Sequence, residues 1–263
     1  MHAPKVSYIQ RFTRIGRLLG WLAGSTISIS RMNGAPDEVR NKTISKIANS
    51  ALKALDVQLI ISDQHQQLEL QSTLIVANHI SWLDILALNA VCPSCFIAKK
   101  EISRWPVVGK MGRNVGTVFI NRNSNRDIDP INTAISKALQ DGKNVSFFPE
   151  ARTTSGNTVL PFKAALFQAA VNSAAPVQPI ALRYYSGTQQ RTTAPSYVGN
   201  MNLIKSLWRI VSVRHLHIRI DFGPLIPSNT ELSNDRFSIK TTAETYISAK
   251  VNEDSPKDTT PTN

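Results

Sequence analysis

Cysteine is scarce in this chain: Cys92 and Cys95 are the only two in 263 residues. That is too few for a disulfide-stapled secreted scaffold and suits a reducing compartment. Their C-x-x-C spacing is open to a redox pair or half a zinc site. With no second Cys or His pair at ligand spacing, two buried small residues near the Pro93-Ser94 turn are the simpler reading, and no metal site is assigned. Acidic residues are also in deficit, 18 against 30 Lys and Arg, which leaves a formal charge of +12. Such an excess points to anionic partners, whether nucleic acid, acidic lipid headgroups or an acidic carrier protein, and names no activity. Aromatics are too sparse for a base-stacking platform and the basic residues are scattered, so nucleic acid is not the expected partner. Long apolar runs are missing from the N-terminal stretch as well. Its longest charge-free run, Leu18 to Ser30, is 13 residues, whereas a membrane-spanning helix needs ~20.

What that stretch does contain is a helical pattern from Val6 to Ser30. Arg11, Arg14 and Arg17 recur every three residues among Ile9, Phe12, Ile15, Leu18, Leu19, Trp21 and Leu22. At ~100° per residue the arginines drift slowly round one side and leave a broad apolar face, the composition of a helix that lies on a bilayer without crossing it. Two other readings stand beside this one: a helix packed on the protein's own core, and a cleaved signal peptide. Residues 36 to 54 predict a second, more polar helix opened by Pro36 and Asp37. Beyond it, apolar strands (57–61, 73–77, 95–98, 116–120, 145–148, 177–182) alternate with helices (82–91, 131–139, 162–172), and Leu216 to Phe222 alternates as a half-solvated strand. The order predicts an α/β protein, a central mixed sheet flanked by helices behind an N-terminal amphipathic membrane-associating segment. The expected organisation is interfacial helices over 1–55, a catalytic domain over 56–251 and a disordered polar tail over 252–263.

The most informative segment is Leu74-Ile75-Val76-Ala77-Asn78-His79-Ile80-Ser81-Trp82-Leu83-Asp84. An apolar strand ends at Asn78 and His79, and a helix begins near Ser81, so both polar groups stand at a strand-to-helix turn of the kind where open α/β sheets bind ligands. Asp84 falls in the first helical turn, within reach of the imidazole. A histidine whose one ring nitrogen donates to a carboxylate has a fixed tautomer and a more basic second nitrogen, as acyl transfer to a hydroxyl requires. The same residues also fit a helix capping box, Ser81-x-x-Asp84, with His79 an ordinary loop histidine. His215 and His217 lie two apart on the last strand, and with no third ligand they read as surface residues.

The segment resembles the first motif, N-H-x-S-x-x-D, of the glycerolipid acyltransferase family, typified by lysophosphatidic acid acyltransferase. The likeness continues: Gly116-Thr117-Val118-Phe119-Ile120-Asn121-Arg122 is similar to the family's second block. Phe148-Pro149-Glu150-Ala151-Arg152-Thr153-Thr154-Ser155 is similar to the third, and Val177-Gln178-Pro179-Ile180 to the fourth. The stretch from Phe96 to Gly109 resembles the family's connecting segment. The third block departs from the family pattern, with Ala151 in place of Gly and Arg152 one position early. Glycine there would permit a positive φ that alanine resists.

The resemblance implies transfer of a fatty acyl group from acyl-carrier protein or acyl-CoA to the free hydroxyl of lysophosphatidic acid, without metal or cofactor. His79 and Asp84 are then the general-base pair, with Asn78, Ser81, Gly116, Phe119, Arg122, Glu150, Arg152 and Pro179 expected around the substrates. Arg122 suits a bidentate phosphate clamp. Glu150 is expected to orient Arg152 or bond a substrate hydroxyl, and Pro179 to shape the strand lining the site. Lys99, Lys100 and Arg104, near Trp105, read either as a basic aromatic patch for headgroups or an acidic carrier or as a solvated face. The expected location is the cytoplasmic face of the inner membrane, held peripherally or monotopically by an anionic surface. Two alternatives remain at this level: the same chemistry on a lyso-ornithine lipid, and a basic membrane- or nucleic-acid-binding protein without catalysis.

Overall fold

A computed structural model describes residues 6–30, 32, 35–62, 70–104, 109, 112, 117–120, 128–187, 189–228, 230 and 235–256. The chain runs through α1 (Tyr8–Ser30), α2 (Asp37–Ala54), β1 (Val57–Ile61), β2 (Leu74–Ala77), α3 (Leu83–Val91), β3 (Cys95–Lys99) and a 3₁₀ segment (Lys100–Arg104). It continues through β4 (Val118–Ile120), α4 (Ile128–Gln140), β5 (Val145–Phe147), a 3₁₀ turn (Ala164–Phe167) and α5 (Gln168–Ser173). The remainder comprises β6 (Val177–Ser186), β7 (Gln190–Arg191), α6 (Leu203–Val211), β8 (Leu216–Phe222) and α7 (Arg236–Asn252).

One mixed sheet carries the strands in the order β1-β8-β6-β2-β5-β3-β4, with β7 hung on β6. The run β6-β2-β5-β3-β4 is parallel, while β6 and β8 are antiparallel. Strands covered on both faces read as unbroken apolar segments, and all four residues of β2 and all ten of β6 are buried. One face of the sheet packs Ile75, Ala77 and Leu182 against α1, α2, α3 and α6. The other packs Leu74, Val76 and Phe147 against α4, α5 and α7. The expected mixed α/β architecture is therefore present.

Several elements differ from the sequence reading. The helix expected over 162–172 is a 3₁₀ turn that passes into the short α5, and α6, β7 and α7 were not foreseen. β8 is less solvated than its alternation implied. Asp221 is buried because Arg183, itself 1% exposed, faces it with a pair of bonds, the shorter 2.8 Å. The same guanidinium reaches Glu253 and Asp254 at 3.2 and 3.1 Å, and Ser255 donates to the Asn157 carbonyl at 2.6 Å. The first residues of the expected tail are thus bonded to the sheet and to the 151–160 loop; 257–263 lie outside the described residues.

The arginines of α1 also turn the other way. Arg11 and Arg14, expected as the polar side of a surface helix, are buried against the protein. Arg14 donates to the carbonyls of Val211 and Val213 and pairs with Asp56 at 2.9 Å. These carbonyls close α6 and the turn after it, where unsatisfied C=O groups attract a cation. Leu18 joins the core and Trp21 Nε1 donates to Ile47 O, so α1 is packed on its own protein along one side. Tyr8, Ile9, Phe12 and Leu19 on its other side are exposed.

Candidate active site

The turn that follows β2 is fixed by side chains that continue the sheet after the backbone leaves it. Ala77 pairs with Ile180, and one step further the Asn78 amide takes the place of a strand. Its Oδ1 accepts from Leu182 N at 2.8 Å and its Nδ2 donates to Leu182 O at 3.0 Å. An amide carries both a donor and an acceptor, so it mimics a backbone pair, and the chain is free to turn and present His79. β5 lies beside β2 in parallel, with Val76 opposite Phe147. Phe148, Pro149 and Glu150 therefore emerge next to His79 at the carboxyl ends of the strands, the expected place for a ligand.

His79 Nδ1 lies 2.8 Å from Asp84 Oδ2. That oxygen also accepts the Ile80 N–H at 2.7 Å and the Ser81 N–H at 2.8 Å, and Leu83 N bonds Ser81 Oγ at 3.4 Å. The capping box and the histidine–carboxylate pair, posed by the sequence as alternatives, are one arrangement built on one carboxylate. The other oxygen, Oδ1, accepts the phenolic hydrogen of Tyr184 at 2.6 Å. Asp84 and Ser81 are fully buried, whereas the His79 side chain keeps 20% of its surface exposed. Nδ1 is engaged by a buried carboxylate, which leaves Nε2 as the nitrogen for a substrate. The ring is stacked on Phe148, centroids 3.9 Å apart and planes within 5°, which fixes its rotation.

Glu150 does not orient Arg152, the first of its two expected roles. It is buried, and its oxygens accept the amides of His79 at 2.6 Å and Leu160 at 2.8 Å, not the Arg152 guanidinium. Thr154 N donates to the His79 carbonyl at 2.8 Å, so both backbone polar groups of His79 are held by the third block. Burial pushes the Glu150 carboxyl up to about 7, with the nearby Asp84 charge adding to the rise. The two amides and Arg152 act in the opposite sense.

Ala151 adopts φ 61°, the left-handed conformation for which the family uses Gly, so the turn shape survives the substitution at a cost of about 1 kcal/mol. Gly156, at φ +86°, lies so close to Ile80 that an added Cβ would stand 2.8 Å from its Cδ1.

Arg152 is exposed and, with Thr153, Thr154, Ser155, Leu160 and Tyr197, lines a groove of about 580 Å³. Its walls are bound to the His79 turn, since Thr154 N bonds His79 O and Tyr197 N bonds Ile80 O at 2.9 Å. Phe119 is on the edge strand β4, separated from β2 by β3 and β5. Pro179 is inside the sheet opposite Val76, back along β6 from the mouth. Neither is brought to the His79 turn. Gly116, Arg122 and Trp105 lie outside the described residues, as do the side chains of Lys99 and Lys100. Cys92 and Cys95 are buried free thiols, and burial lifts Cys92 to about 12. His215 precedes β8 and is exposed.

Phe148, Tyr184, Gly156 and Leu182 were missed as site residues. Phe148 had a signal, since it opens the third block beside Glu150. Tyr184 and Leu182 had none, because only the β2–β6 pairing brings them to a turn about a hundred positions earlier.

At the ends of its parallel strands the α/β sheet holds a partly exposed histidine against a buried carboxylate, a pair able to take a proton from a hydroxyl. Residues 58–183 match the model of the Acyltransferase family. The chain is 48% identical over 257 residues to the 1-acyl-sn-glycerol-3-phosphate acyltransferase of Neisseria meningitidis, covering 97% of this chain and 98% of that one. It is 35% identical over 158 residues to a lyso-ornithine lipid O-acyltransferase of Pseudomonas aeruginosa, covering 60% of each. The crystal structure of the 1-acyl-sn-glycerophosphate acyltransferase PlsC from Thermotoga maritima shares the fold, with a TM-score of 0.70 at 18% identity over 93% of this chain and 94% of that chain. The chain belongs to the acyltransferase family and is an enzyme of that class.

Proposed function

We propose that the protein transfers a fatty acyl group from an acyl thioester to the free hydroxyl of lysophosphatidic acid, giving phosphatidic acid. The observation that carries the mechanism is the 2.8 Å contact between His79 Nδ1 and the fully buried Asp84. Near-full-length similarity to the Neisseria meningitidis protein supports the substrate. His79 Nε2 removes the hydroxyl proton as that oxygen attacks the thioester carbonyl. The tetrahedral intermediate then collapses, the C–S bond breaks, and the thiolate takes the proton back from the imidazolium. No acyl-enzyme forms. The amides of Ile80 and Ser81 are already given to Asp84, so other donors must stabilise the oxyanion.

Arg152 and the hydroxyls around it make the groove suited to the acceptor's phosphate, and Arg122 follows β4 in the sequence position of a second clamp. Acyl-carrier protein and acyl-CoA are both anionic, which suits the +12 chain. The outward apolar side of α1 supports peripheral attachment to an anionic membrane surface, at the cytoplasmic face where such donors are found. No described helix is long and apolar enough to cross a membrane.

A second reading keeps the chemistry and changes the acceptor to a lyso-ornithine lipid. It is favoured by the relatives of that name and by Ala151 in the third block. Offering lysophosphatidic acid and lyso-ornithine lipid side by side to the purified protein, with either donor, separates the two. Preferential product from lysophosphatidic acid is expected; preferential acylation of the ornithine lipid overturns the first reading.

A further inference from the structure

α1 is not the only element with an outward apolar side. On α6, Leu203, Ile204 and Trp208 are exposed, Ile204 at 81%, while Ser206 and Ile210 face the protein. Ile204 and Trp208, four apart, share a helix face, and Leu203 stands about 100° round from Ile204, so the three exposed side chains cover one broad outward side of α6. That side is continuous with α1. The Trp208 ring meets Tyr8 and Phe12 at centroid distances of 6.3 and 6.0 Å. Between the helices lies a groove of about 490 Å³ whose walls include Ile15, Met201, Leu207 and Trp208, with Lys205 and Arg209 among its lining residues.

Charge selects the occupant. α1 and α6 contain no Asp or Glu; of their five Lys and Arg residues, Arg11 and Arg14 are buried and Arg17 pairs with Asp56, which leaves Lys205 and Arg209 at the groove, Arg209 with one N–H given to the Thr193 carbonyl. Tyr, Trp and Phe beside Lys and Arg around an apolar strip are the composition that sits at the headgroup level of a bilayer. The helix α6 is also attached to the His79 turn. Trp82, two residues before Asp84, donates its indole N–H to Ser206 Oγ on α6 at 3.1 Å, and Tyr197, upstream of α6, bonds Ile80.

We propose that α6 is a second membrane-docking element. The facing leaflet of an anionic phospholipid membrane seats across α1 and α6 together, acyl chains entering the groove and Lys205 and Arg209 meeting the phosphates. The Trp82–Ser206 bond sets the depth of the His79 turn relative to that surface. This rests on the peripheral-membrane reading and adds to it a helix far from the N-terminal segment in sequence.

The test uses the full chain and flotation with vesicles of phosphatidylethanolamine containing phosphatidylglycerol. Ile204→Glu on α6 is compared with Ile9→Glu on α1; both positions are at least 80% exposed, so thermal melting is expected to match the parent. Both variants are expected to lose about tenfold or more in vesicle affinity, the consequence of withholding one large apolar side chain. Lys205→Gln is expected to weaken binding to these vesicles and not to phosphatidylcholine ones. Should Ile204→Glu melt early, Leu203→Gln gives the same reading with a milder change. If Ile204→Glu binds like the parent while Ile9→Glu does not, the α6 proposal is overturned and attachment through α1 stands. Parent-like binding by both overturns attachment through either helix. A parent dimer that Ile204→Glu dissociates would show that a second copy covers the face, which also overturns the proposal.

Discussion

The phenol of Tyr184 donates to Asp84 across one hundred positions of sequence, at 2.6 Å and with both side chains closed to solvent. It engages the Oδ1 that the backbone amides and His79 leave free. Asp84 is thereby held by donors on every side, and its aim at His79 is set by β6 as much as by its own helix. Burial and the adjacent Asp84 charge both raise the Tyr184 hydroxyl well above its ordinary value, which keeps it a donor at any working pH.

Removing that donor leaves a buried carboxylate oxygen unpaired, and a hydrogen bond to a charged group is worth about 1.5–3 kcal/mol. Tyr184→Phe is therefore expected to lower stability by about that amount and kcat by about tenfold with KM for both substrates little changed. Urea denaturation and steady-state kinetics measure the two. A kcat equal to the parent's would mean that the hydroxyl contributes nothing to aligning the pair.

The Glu150 carboxyl makes stability depend on pH. Its folded value, about 7, stands above the ordinary 4.5, so the native state favours the protonated form. Its favourable contribution is full below about 4.5 and is lost as pH rises toward 7. Glu150→Gln is expected to flatten this part of the profile, at the cost of one amide bond to His79 or Leu160 at every pH. Melting temperatures of both proteins from pH 4 to 8 provide the check, and parallel curves would contradict it.

Ala151→Gly relieves a left-handed alanine but gives the unfolded chain more freedom. The two effects oppose each other, about 1–2 kcal/mol against 0.4–1, so a net gain between about 0 and 1.6 kcal/mol is expected, with activity retained. A loss of stability in denaturant titration would show that the methyl makes contacts worth more than the strain.

Gly156→Ala has the opposite sign, because the new Cβ meets the Ile80 side chain next to His79 and also carries an unfavourable φ. A loss of about 1–3 kcal/mol is expected, with a fall in kcat as the turn shifts. Parent-like melting and turnover would show that Ile80 yields without moving its neighbour.

How much of this was legible follows from sequence distance. β1 and β8 were read to within a residue because their apolar patterns are local, and His79 with Asp84 because a five-residue turn and its helix are local as well. The capping box was equally readable, yet nothing local showed that one carboxylate bonds both the Ser81 amide and the His79 ring. Arg183 interrupts an apolar strand, and nothing near it in sequence announces Asp221 or Asp254. α7 was missed because its buried residues, Ile239, Ala243, Ile247 and Val251, form a one-residue-wide stripe in a Thr- and Ser-rich segment. The arginines of α1 misled because periodicity reports that two faces differ and not which one meets the protein. Arg14 faces inward because the carbonyls of Val211 and Val213 wait there, a fact that belongs to α6 and its following turn, while Arg11 turns back onto the Val6 carbonyl.

The central claim is that the His79 imidazole, aligned by Asp84, takes the proton from the acceptor hydroxyl, and His79→Ala tests it most directly. With lysophosphatidic acid and an acyl thioester as substrates, the account predicts a fall in kcat of about 10²–10⁴-fold or more in a protein whose melting temperature stays near the parent's. Turnover within a few-fold of the parent would contradict it.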